Sequence, residues 1–279
     1  MPELPEVETV RRGLSHLVCG YRINEVHELH ARVRKNSSLS PISTVAGARI
    51  TGVNRRGKFL WFELDRPEVL VAHLGMSGQF LIAQKDRPVA RHVRALFKIS
   101  KGSRKKELVF NDQRTFGWLS VEELADGTPT SVAHIGLDPF DPGFDRAMTI
   151  EKYAKRNVKI KTALLSQGIM SGVGNIYADE ALWRAKLHPE TLTSQMSLKK
   201  IEIVINSAIE VMTEAILQGG TSFDGLYINV NGESGFFEQS LAAYGQSGRP
   251  CPRCSTPINR IIVGQRSSHF CPRCQRKRG

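Results

Sequence analysis

The sequence predicts a multidomain α+β protein: an N-terminal helix packed on a β-sandwich or barrel, a helical domain, and a C-terminal four-cysteine β-hairpin module. Three observations carry this. Residues 21–120 hold short apolar or alternating runs broken by turn residues, the pattern of an all-β layer structure. Beyond residue 149 the apolar residues recur at helical spacing. Two CxxC pairs then occupy 251–254 and 271–274.

The first helix is expected over residues 5–18, where Val7, Val10, Leu14, Leu17 and Val18 recur on one face. Pro5 suits a first helical position, and Glu6 and Glu8 favour the positive end of the helix dipole. Nothing in that account needs Pro2 or Glu3, although chain termini usually fray. Cys19, at the helix end, reads as a small buried hydrophobe. Strands are expected at "ARITGVN", "KFLWFEL", "EVLVAHL", "GQFLIA", "VRALFKIS", "ELVFND" and "FGWLSV". The first domain is placed at 1–130, and a polar, proline-bearing linker at 131–149. In the second domain, 150–245, "TIEKYAKRNVKIKTALLSQ" is expected to be one basic helix broken by "SGVGN". "IYADEALWRAKL" begins another, and "SLKKIEIVINSAIEVMTEAILQ" is a long buried helix stopped by Gly219 and Gly220. A glycine- and aromatic-bearing loop at 221–245 leads to the cysteine module, 246–279.

Charge narrows the function. Lys and Arg total 39 against 27 Asp and Glu, a net charge of +12. Such an excess suits a polyanion partner. It is also localised: no acid follows Glu238, while Arg249, Arg253, Arg260, Arg266, Arg273, Arg276, Lys277 and Arg278 do. No stretch approaches the ~18 apolar residues of a membrane span. The acidic start is unlike a signal peptide, so a cytoplasmic protein is expected.

Sixteen residues separate the two CxxC pairs. Each pair can present two sulfurs to one ion, and the hairpin between them returns the second pair, so Cys251, Cys254, Cys271 and Cys274 are expected to bind one Zn²⁺. Four protein ligands close the coordination sphere, which makes the ion structural. His269 is not needed as a ligand. In "SGVGNIYADE", two glycines and an asparagine precede a helix, where backbone N–H groups can grip a phosphate. The same spacing also suits a tight helix–helix turn.

Together, "MPELPEVE", "RRGKFL", "HLGMSG", "DQRTFGW", "SGVGNIYADE" and the cysteine module with "GQRSS" resemble the formamidopyrimidine-DNA glycosylases over essentially the whole chain. These are bacterial base-excision enzymes for 8-oxoguanine and ring-opened purines. The resemblance implies the β-sandwich, a helix-two-turn-helix domain with a lesion-recognition loop at 221–245, and the zinc finger. It implies a monomer acting on damaged double-stranded DNA with no obligate protein partner. It further implies that Met1 is removed and that Pro2, with a free secondary amine, attacks the sugar to give an iminium Schiff base. Glu3 is then the proton donor that opens the sugar ring, Lys58 the donor for β-elimination, and Arg266 the residue serving δ-elimination. Met76, Arg114 and Phe116 match the wedge that fills the hole left by an extruded base. His92, Arg114, Arg156, Lys161 and Asn175 match backbone contacts. Gln113 and Thr115 depart from the family's more frequent proline and arginine, which touches opposite-base reading.

Two other readings compete. Endonuclease VIII-like glycosylases share the Pro2, Glu3 and lysine chemistry but prefer oxidised pyrimidines, and they usually begin "PEGPE". A non-catalytic zinc-finger paralogue that only binds DNA damage would not need Pro2, Glu3, Lys58 and Arg266 intact.

Overall fold

The computed structural model describes residues 2–35, 40–83, 91–221 and 237–277. They fall into two compact units, Met1–His134 with Gly219–Gly235, and Ile135–Gln218 with Phe236–Gly279. Residues 222–236 of the expected recognition loop, and Met1, lie outside the described residues.

The first unit is a helix on a two-sheet sandwich. Helix α1 (Leu4–Val18) buries Leu4, Val7, Val10, Leu14 and Val18, each at most 1% exposed, along one face. Strands β1 (Arg22–Glu28), β6 (Val93–Lys101), β7 (Arg104–Asp112) and β5 (Gly78–Ala83) form one antiparallel sheet in that order. The other runs β2 (Ile50–Arg56), β3 (Phe59–Leu64), β4 (Arg66–His73), β8 (Trp118–Ala125) and the short β9 (Thr128–Pro129). Inward residues of both sheets share one core with α1. Phe62 of β3 meets Phe80 of β5 edge-on at 5.3 Å, and Phe80 lies 5.0 Å from Phe110 of β7. Each such side chain contributes roughly 1.5–3 kcal/mol through burial alone.

All seven expected strands are present. The sequence reading lacked β1, whose "RINEVHE" buries only Ile23 fully. It pairs with β6 at the sheet edge, so backbone bonding rather than alternation makes it a strand.

The second unit is helical with a hairpin. It comprises α2 (Arg146–Ala154), α3 (Ile160–Leu165), α4 (Asn175–Arg184), α5 (Leu198–Leu217) and the β10 (Asn259–Val263)–β11 (Arg266–Phe270) hairpin. Helix α5 starts at the Ser197 cap, which accepts from the Lys200 N–H, and ends before Gly219 and Gly220 as expected. The single helix expected across 149–167 is instead two. Thr193 competes for the backbone between them: its hydroxyl donates to the Arg156 carbonyl at 2.6 Å and its N–H donates to the Val158 carbonyl at 2.9 Å. Lys159 then bridges to Leu192, leaving no helical path through 156–159.

A carboxylate fastens α1 to the sheet. Glu8 accepts from Arg11, Arg12 and Arg55, the last at 3.0 Å, while Arg11 reaches the Val53 carbonyl of β2. Burial raises the Glu8 carboxyl, but the Arg11 hydrogen bond, the Arg55 charge and the Arg12 hydrogen bond outweigh it and bring it down to about 2. A carboxylate depressed in the fold stabilises above its unfolded value and loses that stabilisation as pH falls through its folded value. Glu8→Gln is therefore expected to cost about 3 kcal/mol at pH 7, because it breaks a buried ion pair with Arg55. Urea titrations should show the gap to wild type closing between about pH 4.5 and pH 2. A gap that persists at pH 2 would mean that shape, not charge, is what Glu8 supplies.

Candidate active site

Pro2 and Glu3 are both buried at the start of α1, with Glu3 only 2% exposed. The Glu3 N–H donates to Glu6 Oε2 at 2.8 Å, and the two residues form a reciprocal capping box. Such a box satisfies donors that a helix start otherwise leaves open. The other oxygen of Glu6 accepts from the N–H and hydroxyl of Thr221 at 2.9 and 2.8 Å. Gly220, at φ +85°, makes that approach possible, since a Cβ there would come within 3.1 Å of Glu6 Oε1.

Lys58 sits in the two-residue turn between β2 and β3, with Arg56 and Phe59 paired across it. Gly57 takes φ +56°, the positive angle that a type II′ turn needs at its first central position. Arg55 donates to Glu8 from Nε and to the Gly57 carbonyl at 3.1 Å, so the helix bearing Pro2 and the turn bearing Lys58 share one buried guanidinium. His73 pairs with Phe59 across the strands and stacks on Trp118 at 5.8 Å. Its Nδ1 accepts the Gly75 N–H at 3.1 Å. Burial, with the Lys58 charge beside it, pushes the imidazole down to about 4, so it is neutral at pH 7.

The residues expected to form a wedge lie in two loops of the same unit. Met76 and Phe116 are 43% and 59% exposed, unusual for large apolar groups and suited to an outside partner. Gly75, at φ +60°, lets these loops touch backbone to backbone, because a Cβ there would lie 2.4 Å from the Phe116 carbonyl carbon. Asp112, fully buried, organises both loops. It accepts from the Ser77 hydroxyl and the Arg114 N–H through Oδ1, and from the Gly117 N–H at 2.6 Å through Oδ2. The Arg114 side chain is left exposed. His92 is half-buried beside this network, and its carbonyl accepts the Asp112 N–H.

In the second unit, Gly174 precedes Asn175, the first residue of α4, and no side-chain hydrogen bond caps this helix. Gln167 fixes the turn before it, donating to the Leu165 and Val173 carbonyls and accepting from the Gly172 N–H. Asn175 Oδ1 is buried with no hydrogen-bond partner among the described residues. Arg156 is exposed just beyond α2. Glu180 accepts from the N–H groups of Ala242, Ala243 and Tyr244, and burial raises its carboxyl despite those bonds.

Lys161 departs from expectation. It is fully buried, and its Nζ donates to Asp179 at 2.7 Å and to the Ser267 carbonyl at 2.6 Å. As it sits, it cannot touch a phosphate. The sequence marks a lysine in a basic segment but not the face it occupies. Arg266 is exposed and opens β11 opposite Val263. Gly264 and Gln265, at φ +55° and +62°, form the tight turn before it.

The sulfurs of Cys251, Cys254, Cys271 and Cys274 all lie within 4.8 Å of one another. Tetrahedral Zn–S bonds of about 2.3 Å set sulfurs roughly 3.8 Å apart, so the four fit one zinc ion. The Trp183 indole N–H and the Cys274 N–H point at two of these sulfurs, as donors to thiolates should. His269 faces Asp179 instead.

Asp112, Asp179, Gln167 and the Glu8–Arg55 pair escaped the sequence reading. Asp112 and Asp179 stand inside the quoted motifs, yet a carboxylate destined for burial looks like any other acid.

Two expected outcomes follow from this geometry. An unfolded imidazole binds a proton near 6.5 while His73 in the fold does not until about 4, so stability should fall as pH drops through that window. Denaturation of His73→Gln between pH 7 and pH 4 should show a shallower loss than wild type; equal slopes would refute a neutral, buried His73. Stripping the metal with a strong chelator should collapse the β10–β11 hairpin, measured as lost protection of its amides in hydrogen exchange. Unaltered protection without zinc would contradict a structural ion.

Residues 1–119 match the formamidopyrimidine-DNA glycosylase N-terminal domain, residues 135–225 the H2TH domain of the same glycosylase, and residues 248–276 a zinc finger found in FPG and IleRS. The chain is 49% identical to the formamidopyrimidine-DNA glycosylase of Rhodococcus jostii, covering 99% of this chain and 96% of that one. It is 46% identical to that of Corynebacterium glutamicum over the whole of both. Among solved structures it is similar to Lactococcus lactis Fpg in complex with an abasic site containing DNA, at TM-score 0.87, 35% identity, and 99% and 100% coverage. A Gly-to-Pro mutant of that protein with a Fapy-dG containing DNA matches at TM-score 0.86 and 35% identity, with the same coverage. With its fold, its four-cysteine site and its full length aligned in this way, the chain belongs to the formamidopyrimidine-DNA glycosylase family.

Proposed function

We propose that the protein excises oxidised purines, 8-oxoguanine and formamidopyrimidines, from double-stranded DNA and then cleaves the abasic strand by β,δ-elimination. The observation that carries this reading is the N-terminus: Pro2 and Glu3 are buried on a capped helix start that shares Glu8 and Arg55 with the turn bearing Lys58.

Loss of Met1 frees the Pro2 nitrogen. An α-amino group titrates near 8, so a usable fraction is unprotonated at neutral pH. Its lone pair bonds to C1′ as the bond from C1′ to the damaged base breaks, and that base leaves with a proton. Glu3 protonates the ring oxygen as the sugar opens. A secondary amine gives an iminium, which carries its positive charge without a proton and draws electrons from C2′. Loss of the C2′ proton then expels the 3′ phosphate, with Lys58 as the proton donor for this elimination. Arg266 serves the second elimination, which expels the 5′ phosphate. The target nucleotide must leave the stack for any of this. Met76 and Phe116 replace its stacking, Arg114 meets the orphaned base, and His92, Arg156 and Asn175 hold the backbone. Zinc, bound by the four cysteines, supplies rigidity to the hairpin that carries Arg266 and takes no part in the chemistry.

Full-length relatedness to named formamidopyrimidine-DNA glycosylases favours this reading over an oxidised-pyrimidine enzyme or a non-catalytic paralogue. No helix among the described residues is long and apolar enough to cross a membrane. A cytoplasmic, nucleoid-associated monomer is proposed on the family likeness and on the net charge of +12, which suits a DNA partner.

Borohydride trapping on duplexes carrying 8-oxoguanine or thymine glycol tests the proposal. The expected result is a covalent adduct through Pro2, forming faster on 8-oxoguanine, with Pro2→Gly reduced at least about tenfold because its primary amine gives a different imine. Attachment through an internal residue, or preference for thymine glycol, would overturn it.

A further inference from the structure

The second unit contains a fully buried ion pair that the mechanism above does not use. Lys161 of α3 and Asp179 of α4 are both 0% exposed and meet at 2.7 Å. Isolated charges are expensive to bury, and such pairs persist where surrounding hydrogen bonds compensate them. Here β11 supplies three of the compensating hydrogen bonds. Asp179 Oδ1 also accepts the Ser268 hydroxyl at 2.9 Å, and Oδ2 accepts the His269 N–H at 2.8 Å. Lys161 Nζ donates to the Ser267 carbonyl at 2.6 Å. The pair thus holds three consecutive residues of β11, 267 to 269, and the residue just before them is Arg266.

The rest of the hairpin has its own supports. Cys271 ties its base to the metal site. Arg260 of β10 donates to the Ser267 hydroxyl across the strands. At the tip, a Cβ on Gly264 would sit 3.4 Å from the Thr162 hydroxyl, so the turn abuts the residue after Lys161. Asp179 lies four residues after Asn175, on the same face of α4. One carboxylate therefore links α4, whose start carries no side-chain cap, with the strand that presents Arg266.

We propose that the Lys161–Asp179 pair is a positioning device that sets Arg266 for the second elimination, registered to the Asn175 end of α4. This rests on the reading of Arg266 given above. Lys161 and Asp179 touch no substrate and act through β11. A chain lacking the pair but still folded should make the first strand break and stall at the β-elimination product.

The test uses full-length, zinc-loaded protein on a duplex with a preformed abasic site, reading the ratio of β,δ- to β-product at equal extents of cutting. The main variant is Lys161→Met with Asp179→Leu, which replaces the charges together with apolar groups of similar size. Its ratio should fall about tenfold, since small misplacements of a reacting group cost that much or more. A merely structural pair would lower total cutting and leave the ratio alone, and an unchanged ratio overturns the proposal. Should this variant not accumulate with one zinc per chain, Ser268→Ala removes one hairpin bond and no charge. A fall of about threefold is then expected, and a wild-type ratio overturns the proposal. Arg266→Ala separates the two ideas. If it lowers the ratio and the pair variants do not, the positioning role fails alone. If it leaves the ratio at the wild-type value, the reading of Arg266 fails, and the proposal falls with it.

Discussion

The proposed function puts the nucleophile on the second residue of the chain, which is useful only if that terminus is held still, and the first turn of α1 answers this constraint. A helix start leaves four N–H groups without internal partners. Here Glu3 and Glu6 exchange caps, Leu4 is fully buried, and Val7 anchors the turn in the sandwich core. Glu6 spends its second oxygen on Thr221. One turn later, Glu8 takes Arg55, and Arg55 takes the carbonyl beside Lys58. A helix-dipole argument accounts for acids in this turn but not for their partners. Those partners make the terminus part of the fold.

The same device recurs away from the N-terminus. Asp112, Asp179 and Glu180 are buried carboxylates, and each accepts two or more hydrogen bonds that include backbone N–H groups of loop or strand residues. A carboxylate offers about four acceptor sites, more than any hydroxyl, so one side chain can fix a whole turn. This arrangement places acids inside and leaves Arg114, Arg156 and Arg266 exposed. The net charge of +12 is consequently felt at the surface, where a polyanion would meet it.

Much of this was legible in the chain alone. Alternation gave seven strands, helical spacing gave α1, α4 and α5, and two CxxC pairs gave the metal site, because each pattern is local and repeats at a fixed period. The ordered motifs pointed to the family, since six separated matches in sequence rarely coincide by chance. Arg266 and Lys58 could be placed at hairpin turns from the glycines beside them.

The rest depended on contacts distant in sequence. β1 is a strand because β6 offers it backbone partners, and the helix expected across 149–167 breaks because Thr193 claims its carbonyl and N–H groups. Lys161 reads as a surface cation beside its basic neighbours, yet Asp179, eighteen residues away, and Ser267, one hundred and six away, draw it inside. Period and motif determine which residues are present and which local shapes they favour. Whether a charge faces water or another charge is decided only when the chain closes on itself, because burial and partners are properties of the packed structure.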